Sequence, residues 1–127
     1  MKKFIFTLLL STLVFSSPSY ADWTKVGTTV SGNTYYVDLD RIRKHDGYVY
    51  FWTLDDYLKP FKSGALSAKV YSQGDCKLFR DKVLSDSFYN DSMGNGTLNS
   101  SSSEEEDWDY PPPNSISEIV LKSVCSF

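Results

Sequence analysis

Short stretches of the chain alternate apolar and polar residues or are apolar throughout, and both patterns favour β-strands. The strongest stretch is residues 48–57, whose centre, Tyr48-Val49-Tyr50-Phe51-Trp52, is apolar on both alternating faces. Such a strand is typical of the middle of a sheet that is covered on both sides, or covered on one side with an aromatic face left for a partner. The pattern also predicts strands at residues 23–30, 34–37, 65–73 and 76–88, and a short edge strand at 108–110.

Turn-forming residues separate the predicted strands. Short turn signals lie at residues 31–33 and 45–47, residues 74–75 indicate a turn or bulge, and a loop containing Pro and Gly lies at 59–64. Asp38 is predicted to cap a short turn over residues 39–42 with its side-chain oxygen. Residues 90–107 are rich in Ser, Asn and Gly and end in a run of acids, a composition that predicts a solvated loop.

The end of the chain has a helical pattern. Ser115 and Glu118 form a capping box, in which the serine accepts a bond from a backbone amide and the glutamate reaches back to another. Apolar residues then share one stripe at helical spacing: Ile116, Ile119, Val120, Val124 and Phe127. Strands followed by one amphipathic helix predict an α+β fold, an antiparallel sheet of five or six strands with the C-terminal helix packed on one face.

Residues 1–21 have the pattern of a secretory signal peptide. Lys2-Lys3 forms a positive start, residues 4–15 are mostly apolar, and Ser19-Tyr20-Ala21 places small residues where a signal peptidase reads. The apolar run is shorter than the roughly 20 residues that span a bilayer, so a transmembrane anchor is not expected. No cysteine directly follows Ala21, so lipid attachment there is not expected either. The chain is therefore predicted to be exported and to be periplasmic or secreted.

The predicted exported domain, residues 22–127, is acidic. Without the two signal-peptide lysines it has 11 basic and 16 acidic residues, a net charge of −5. Nucleic acids and anionic membrane surfaces need basic patches on their partners, so neither is an expected ligand. The many Tyr and Trp side chains can build a core and can also serve a protein interface.

Cys76 and Cys125 are the two cysteines of the chain. In an exported domain such a pair indicates a disulfide, which here would hold the helix against the sheet. A redox pair usually has two residues between its cysteines, and a zinc site needs more ligands than this pair and His45, the single histidine. The pair is therefore interpreted as structural, and no metal or cofactor is expected.

No catalytic constellation stands out, so the domain is predicted not to be an enzyme. His45 lies in a predicted surface turn, whereas general-base catalysis requires an imidazole that is held by a partner. The acid pairs Asp38/Asp40 and Asp107/Asp109 lack the loop pattern of a calcium site. Two other interpretations remain open: a small hydrolase that uses paired carboxylates within residues 38–56, and a purely structural envelope protein.

Tyr48, Tyr50 and Trp52 are the candidate binding residues. The two-residue alternation of a strand places them on one face, with Val49 and Phe51 on the other. If the helix covers one face of the sheet, loops, a second copy or a ligand must bury the other. Exposed Tyr and Trp anchor many interfaces, which predicts protein binding or homodimerisation through this face. The alternative is that the two long loops described above cover it.

A series of short motifs runs in order along the exported domain. Its members are Trp23, Tyr35-Tyr36-Val37-Asp38, Ile42, Val49, Trp52, Tyr57, Lys69, Asp75-Cys76, Arg80, Met93-Gly94-Asn95-Gly96, Trp108, Pro113-Asn114-Ser115 and Val124-Cys125. Each motif is short, but their order together with the paired cysteines resembles the surface-adhesin protein E-like family of Gram-negative bacteria.

The resemblance implies a six-stranded antiparallel sheet with a C-terminal helix, joined by the cysteine pair. It also implies attachment to host extracellular-matrix and serum proteins such as vitronectin and laminin. The member that gives the family its name is a lipoprotein on the outer membrane that can self-associate as a dimer, whereas this sequence lacks a lipidation cysteine. The expected partner is therefore a host matrix or serum protein, an envelope protein, or a second copy of the chain.

Overall fold

The computed structural model describes residues 22–127, so the predicted signal peptide lies outside the described residues. The fold is α+β, as the pattern predicts: one antiparallel sheet and a C-terminal helix. The strands are β1 (Trp23–Thr28), β2 (Thr34–Asp38), β3 (Arg43–His45), β4 (Tyr48–Asp56), β5 (Ser67–Asp75), β6 (Arg80–Tyr89) and β7 (Leu98–Ser102), and the helix is α1 (Ile116–Cys125). Short 3₁₀ turns lie at Leu39–Arg41 and Ser92–Gly94.

The strand order is β1-β2-β4-β5-β6-β7, with every neighbouring pair antiparallel, and β3 pairs with β4 off this path. The first half of β4 therefore pairs with β3, and its second half pairs with β2. Because β5 runs along its other edge, β4 has neighbours on both sides for nearly its whole length. This central position explains why its sequence is apolar on both faces.

The hydrophobic core lies between one face of the sheet and α1. Its buried residues are Val37, Val49 and Phe51 of the strands and Val120, Leu121 and Val124 of the helix. Ser115 caps the helix by accepting a bond of 3.1 Å from the Glu118 amide, while the Glu118 carboxylate accepts one of 3.0 Å from the amide of Asn114. These bonds satisfy amides that a helix start leaves without partners, and they confirm the predicted capping residues.

The predicted apolar stripe of the helix is wrong at two positions. Ile119 is 44% exposed and Phe127 is 56% exposed, whereas Leu121, which the predicted stripe does not include, is fully buried. The helix ends at Cys125, so Phe127 no longer follows the helical path. The disulfide between Cys76 and Cys125, with a Cα–Cα distance of 5.7 Å, holds the end of the helix. Leu121, four residues before Cys125, lies on the same face of the helix.

The predicted turn or bulge at residues 74–75 is also wrong, because Gly74 and Asp75 both belong to β5 and the irregularity in its pairing with β6 lies between Tyr71 and Ser72. The turn comprises residues 76–79, so Cys76 lies in a turn and not in a strand. Asp75 stabilises this turn, since its Oδ1 accepts bonds of 3.1 Å from the amides of both Lys77 and Leu78. The capped turn presents Cys76 to the end of α1.

Residues 90–107 are not a continuous loop. They contain the 3₁₀ turn Ser92–Gly94 and strand β7, which pairs with the second half of β6. Beyond β7 the chain stays next to β6, where Asp109 forms a single bridge with Asp81 instead of the predicted strand at 108–110. A Ser-rich segment forms a strand here because β6 offers an unpaired edge, and backbone hydrogen bonds depend little on side-chain polarity. Together β3 and β7 explain why the sheet has seven strands.

Within residues 22–127, no helix is long and apolar enough to cross a membrane.

Candidate binding face

The three predicted binding residues lie together on the sheet face that points away from α1. Val49 and Phe51 belong to the core under the helix, so the alternation of β4 directs Tyr48, Tyr50 and Trp52 to the opposite side. All three side chains are partly buried. The predicted grouping of these residues on one face is therefore observed.

Two further aromatic residues join this group, one through strand pairing and one from the segment beside β6. Tyr71 of β5 lies opposite Trp52, with ring centroids 4.8 Å apart, and it also stacks on Tyr50 at 6.3 Å. Trp108, from the segment beside β6, stacks on Tyr48 at 5.9 Å. We name this surface of Tyr48, Tyr50, Trp52, Tyr71 and Trp108 the aromatic face. Rings at these separations attract one another and form a rigid surface.

Cationic side chains lie over the rings of the aromatic face. The Arg43 guanidinium is 4.9 Å from the Tyr50 centroid, because β3 pairs Arg43 directly with Tyr50. Arg80 and Lys82 of β6 lie 4.2 and 4.6 Å from the Trp108 centroid. Such cation–π contacts hold the cations against the sheet.

Arg43 and Arg80 are held by polar groups as well as by rings. Arg43 donates a bond of 3.4 Å to the Tyr71 hydroxyl, which raises the pKa of the guanidinium. Arg80 Nε donates to Asp75 Oδ2 at 3.0 Å. Burial opposes ionisation of Asp75, but hydrogen bonds from the Leu78 amide and from Arg80 lower the pKa of this carboxyl. Arg80 is thus paired within the fold, and Arg43 is exposed.

The segment 92–94 covers one end of this side of the sheet. The Met93 amide donates to Asp56 Oδ1 at 2.8 Å, and the Gly94 amide donates to Ser67 Oγ at 2.8 Å. Leu54, which alternates with Trp52 on this side, is fully buried beneath the segment. Part of the predicted loop 90–107 therefore does cover this side of the sheet, at Leu54, Asp56 and Ser67.

The loop at 59–64 does not cover the aromatic face. Phe61 of this loop packs against Tyr57 and Phe88, with centroids 4.5 and 6.0 Å away. Phe88 pairs with Ala68, and Ala68 pairs with Asp55, whose side chain lines a cavity on the helix side of the sheet. The loop therefore packs on the helix side, and the interpretation that both long loops bury the aromatic face is wrong.

Other candidate residues from the sequence are not assembled into a site. His45 ends β3, is exposed, and has Asp46 as its neighbour at 3.2 Å. The Asp38 carboxylate accepts a bond of 3.1 Å from the Asp40 amide, which is the predicted cap. In the part of the chain that the structure describes, no three His, Cys, Asp or Glu side chains lie close enough together to hold a metal ion.

The sequence pattern did not indicate the partners of the three predicted residues. Arg43, Tyr71, Arg80, Lys82 and Trp108 come from β3, β5, β6 and the segment that follows β7. The two-residue period indicates which residues of β5, or of β6, lie on the same face of that strand. It carries no information on the register between strands. The available signal in the sequence was the pair of basic residues at alternate positions 80 and 82, which indicates two cations on one face of a strand.

The fold and this surface define the class of the protein: a small disulfide-tied α+β domain, with a helix on one side of the sheet and an aromatic, cationic face on the other. Residues 23–126 match the family model of surface-adhesin protein E, and the chain belongs to this family. Among curated proteins, none matches the chain in sequence at a significant level.

Solved structures of Haemophilus influenzae protein E share the fold. One has 15% sequence identity and a TM-score of 0.67, covering 90% of this chain and 91% of its own. A second crystal form has 17% identity and a TM-score of 0.64, covering 90% and 94%. A structure of protein E from non-typeable Haemophilus influenzae, with 17% identity and a TM-score of 0.54, covers 90% and 79%. At this identity the likeness establishes the fold.

Proposed function

We propose that the chain is an exported, non-enzymatic protein-binding domain of the adhesin type, which contacts its partner through the aromatic face. The observation that carries the proposal is that Tyr50, Trp52 and Tyr71 remain partly exposed beside Arg43, on the side of the sheet that α1 leaves open. Aromatic side chains and arginine dominate the hot spots of protein interfaces. Membership of a family named for surface adhesion points in the same direction.

The charges of the face favour a particular kind of protein partner. Lys82 pairs with Glu105 at 2.7 Å, and Arg80 pairs with Asp75, so these two cations are already compensated. Lys69 pairs with Leu54 and so lies on the same side of the sheet as the aromatic face. Arg43 and Lys69 have no carboxylate within 4.0 Å among residues 22–127. A complementary partner surface would have an apolar centre with acidic groups at its rim. The candidate partners are host matrix or serum proteins, envelope proteins and a second copy of this chain.

The test is a pull-down with the exported form, residues 22–127, from envelope extract and from host serum. Tyr50→Glu places a charge in the centre of the aromatic face and is expected to abolish capture of the specific partner. Ile119→Glu is the matched control, because it adds the same charge to an exposed apolar residue on the outer side of the helix. Sedimentation analysis of the same proteins reports whether the partner is a second copy.

Thermal unfolding of each variant separates binding from folding. The proposal requires that Tyr50→Glu unfold near the wild-type temperature and lose the partner that wild type and Ile119→Glu both retain. Arg43→Glu is a second variant, since its guanidinium is exposed and its replacement removes no buried group. Undiminished capture by both Tyr50→Glu and Arg43→Glu would show that the partner binds elsewhere.

A further inference from the structure

A second candidate site lies on the helix side of the sheet. A cavity of about 810 Å³ extends from the hairpin between β1 and β2 to the segment beside β6. Phe51, Val70 and Val83 form its apolar floor, and Val120 of α1 forms part of a wall. Cavities of roughly 300–1,000 Å³ with an apolar lining are typical sites for small organic ligands. The sheet separates this cavity from the aromatic face.

The ionisable groups of the lining are acids and phenols, and none is basic. Asp81 and Asp109 lie side by side at one end, where their backbones exchange hydrogen bonds of 3.0 and 2.7 Å. Burial and the nearby charge of Asp109 raise the pKa of Asp81 to about 6. We name the cavity the acidic cleft. A positively charged group beside Asp81 would relieve the repulsion between the two carboxylates.

Asp55 lies at the other end of the acidic cleft. It pairs with Ala68, whereas Asp81 pairs with Gly74, so six residues of β5 separate the two positions. At the rise of a strand this is about 20 Å. Burial raises the pKa of Asp55 to about 6, an effect that the Tyr57 hydroxyl opposes. Asp55 and Asp81, the two carboxyls with a raised pKa, are therefore too far apart to contact the same ligand atom.

Ser72 is an independent sign that the cleft receives a ligand. Four polar residues are buried in the described part of the chain: Asp38, Ser67, Ser72 and Asp75. The other three have hydrogen-bond partners, while the Ser72 hydroxyl has none among residues 22–127. Ser72 is only 6% exposed and lines the cleft. It lies two residues along β5 from Gly74, which pairs with Asp81. A buried hydroxyl without a partner calls for an explanation, and a ligand atom supplies one.

We propose that the acidic cleft binds a small organic cation with an apolar chain. Its ammonium group lies between Asp81 and Asp109, and its chain runs over Val83 and Val70 past the Ser72 hydroxyl. The ammonium donates charge-assisted hydrogen bonds to the two carboxylates, and the chain covers apolar surface that is now open to water. The proposed site is distinct from the protein-binding surface and does not depend on it.

Two other interpretations of the cleft fit less well. A hydrolytic site with two carboxylates needs them roughly 5 to 10 Å apart, which excludes Asp55 and Asp81 as the catalytic pair. An anion would be attracted by the start of α1, which also borders the cleft. The Glu118 carboxylate already bonds to the Asn114 amide at this helix start and offsets its partial positive charge. The carboxylates of Asp81 and Asp109 would repel an anion as well.

The probe is hexylammonium, with hexan-1-ol and hexanoate as neutral and anionic compounds of the same chain length. Amide chemical shifts of the isotope-labelled exported domain locate each compound, and titration gives its affinity. We expect hexylammonium to shift residues of the cleft floor, and Asp81→Asn to weaken its binding about tenfold or more, since a charge-assisted bond is lost. Asp107→Asn is the matched control, because Asp107 is an exposed acid that does not line the cleft.

The dependence of binding on pH tests the wild-type chain without any substitution. The ionisable residues that line the cleft are Asp55, Asp81 and Asp109 with Tyr35 and Tyr36, and the α1 residues of the lining do not ionise. Lowering the pH from about 7.5 to about 5 protonates Asp81, so hexylammonium should bind more weakly. Equal binding to Asp81→Asn, tighter binding of hexanoate, or shifts confined to the aromatic face would each overturn the proposal.

Discussion

Leu121 packs directly against the backbone of Gly74. A Cβ atom at Gly74 would lie 3.0 Å from Leu121 Cδ1 and 2.9 Å from Val49 Cγ2. The absence of a side chain at this point of β5 lets the helix approach the sheet closely enough to bury Leu121 completely. The glycine is therefore a packing residue of the core and does not end the strand.

Gly74→Ala should consequently destabilise the domain. The added methyl group must displace two buried side chains that have little room to move, and overpacking of this kind typically costs about 1–3 kcal/mol. Gly27→Ala is the matched control, because its Cβ would meet only the end of the Ile116 side chain, at 3.0 Å. Chemical denaturation measures both variants. A smaller loss for Gly74→Ala than for Gly27→Ala would contradict this account of the helix contact.

The disulfide should be a support of the fold. Replacing both Cys76 and Cys125 by Ala removes a crosslink between residues 49 positions apart. The expected loss in free energy of unfolding is about 2–4 kcal/mol, because the crosslink restricts the unfolded chain. Peptide mapping without reductant should recover the two cysteines in one linked fragment. Free alkylation of both cysteines in the oxidised protein would show that the bond does not form.

Asp55 should make stability depend on pH. Its native pKa is about 6 while its ordinary value is 3.8, so the native state binds more protons between these values and stability falls as the pH rises through this window. Asp55→Asn should therefore stabilise the domain by about 3 kcal/mol near pH 7.5 and by little near pH 3.5. Thermal melts at both pH values measure the difference, with Asp107→Asn as the control. A gain that is equal at both values would mean that ionisation is not its cause.

Export should leave a mature protein that starts at Asp22. The intact mass of the protein recovered from its native host is the measurement. A species that still starts at Met1, or one that carries a lipid, would disprove the predicted processing.

Secondary structure and its order were largely accessible from the sequence because they depend on local patterns. Alternation along β4 predicted a central strand with Tyr48, Tyr50 and Trp52 on one face, and this grouping is observed. Ser115 and Glu118 predicted the start of α1, since capping bonds form between neighbours in the chain. Cys76 and Cys125 predicted the disulfide because the composition and the signal-like segment indicated an oxidising compartment.

The tertiary structure alone decided features that depend on contacts between distant residues. Strand register brings Arg43 to Tyr50 and Tyr71 to Trp52, and no local periodicity encodes which residues of two strands lie opposite each other. The path of the segment beside β6 brings Trp108 to Tyr48. Strand β7 forms because an edge of β6 is available to pair with it. The acidic cleft arises where the short helix covers only part of one sheet face. Asp55, Asp81 and Ser72 gain their unusual surroundings through burial, which sequence patterns do not specify at such polar positions.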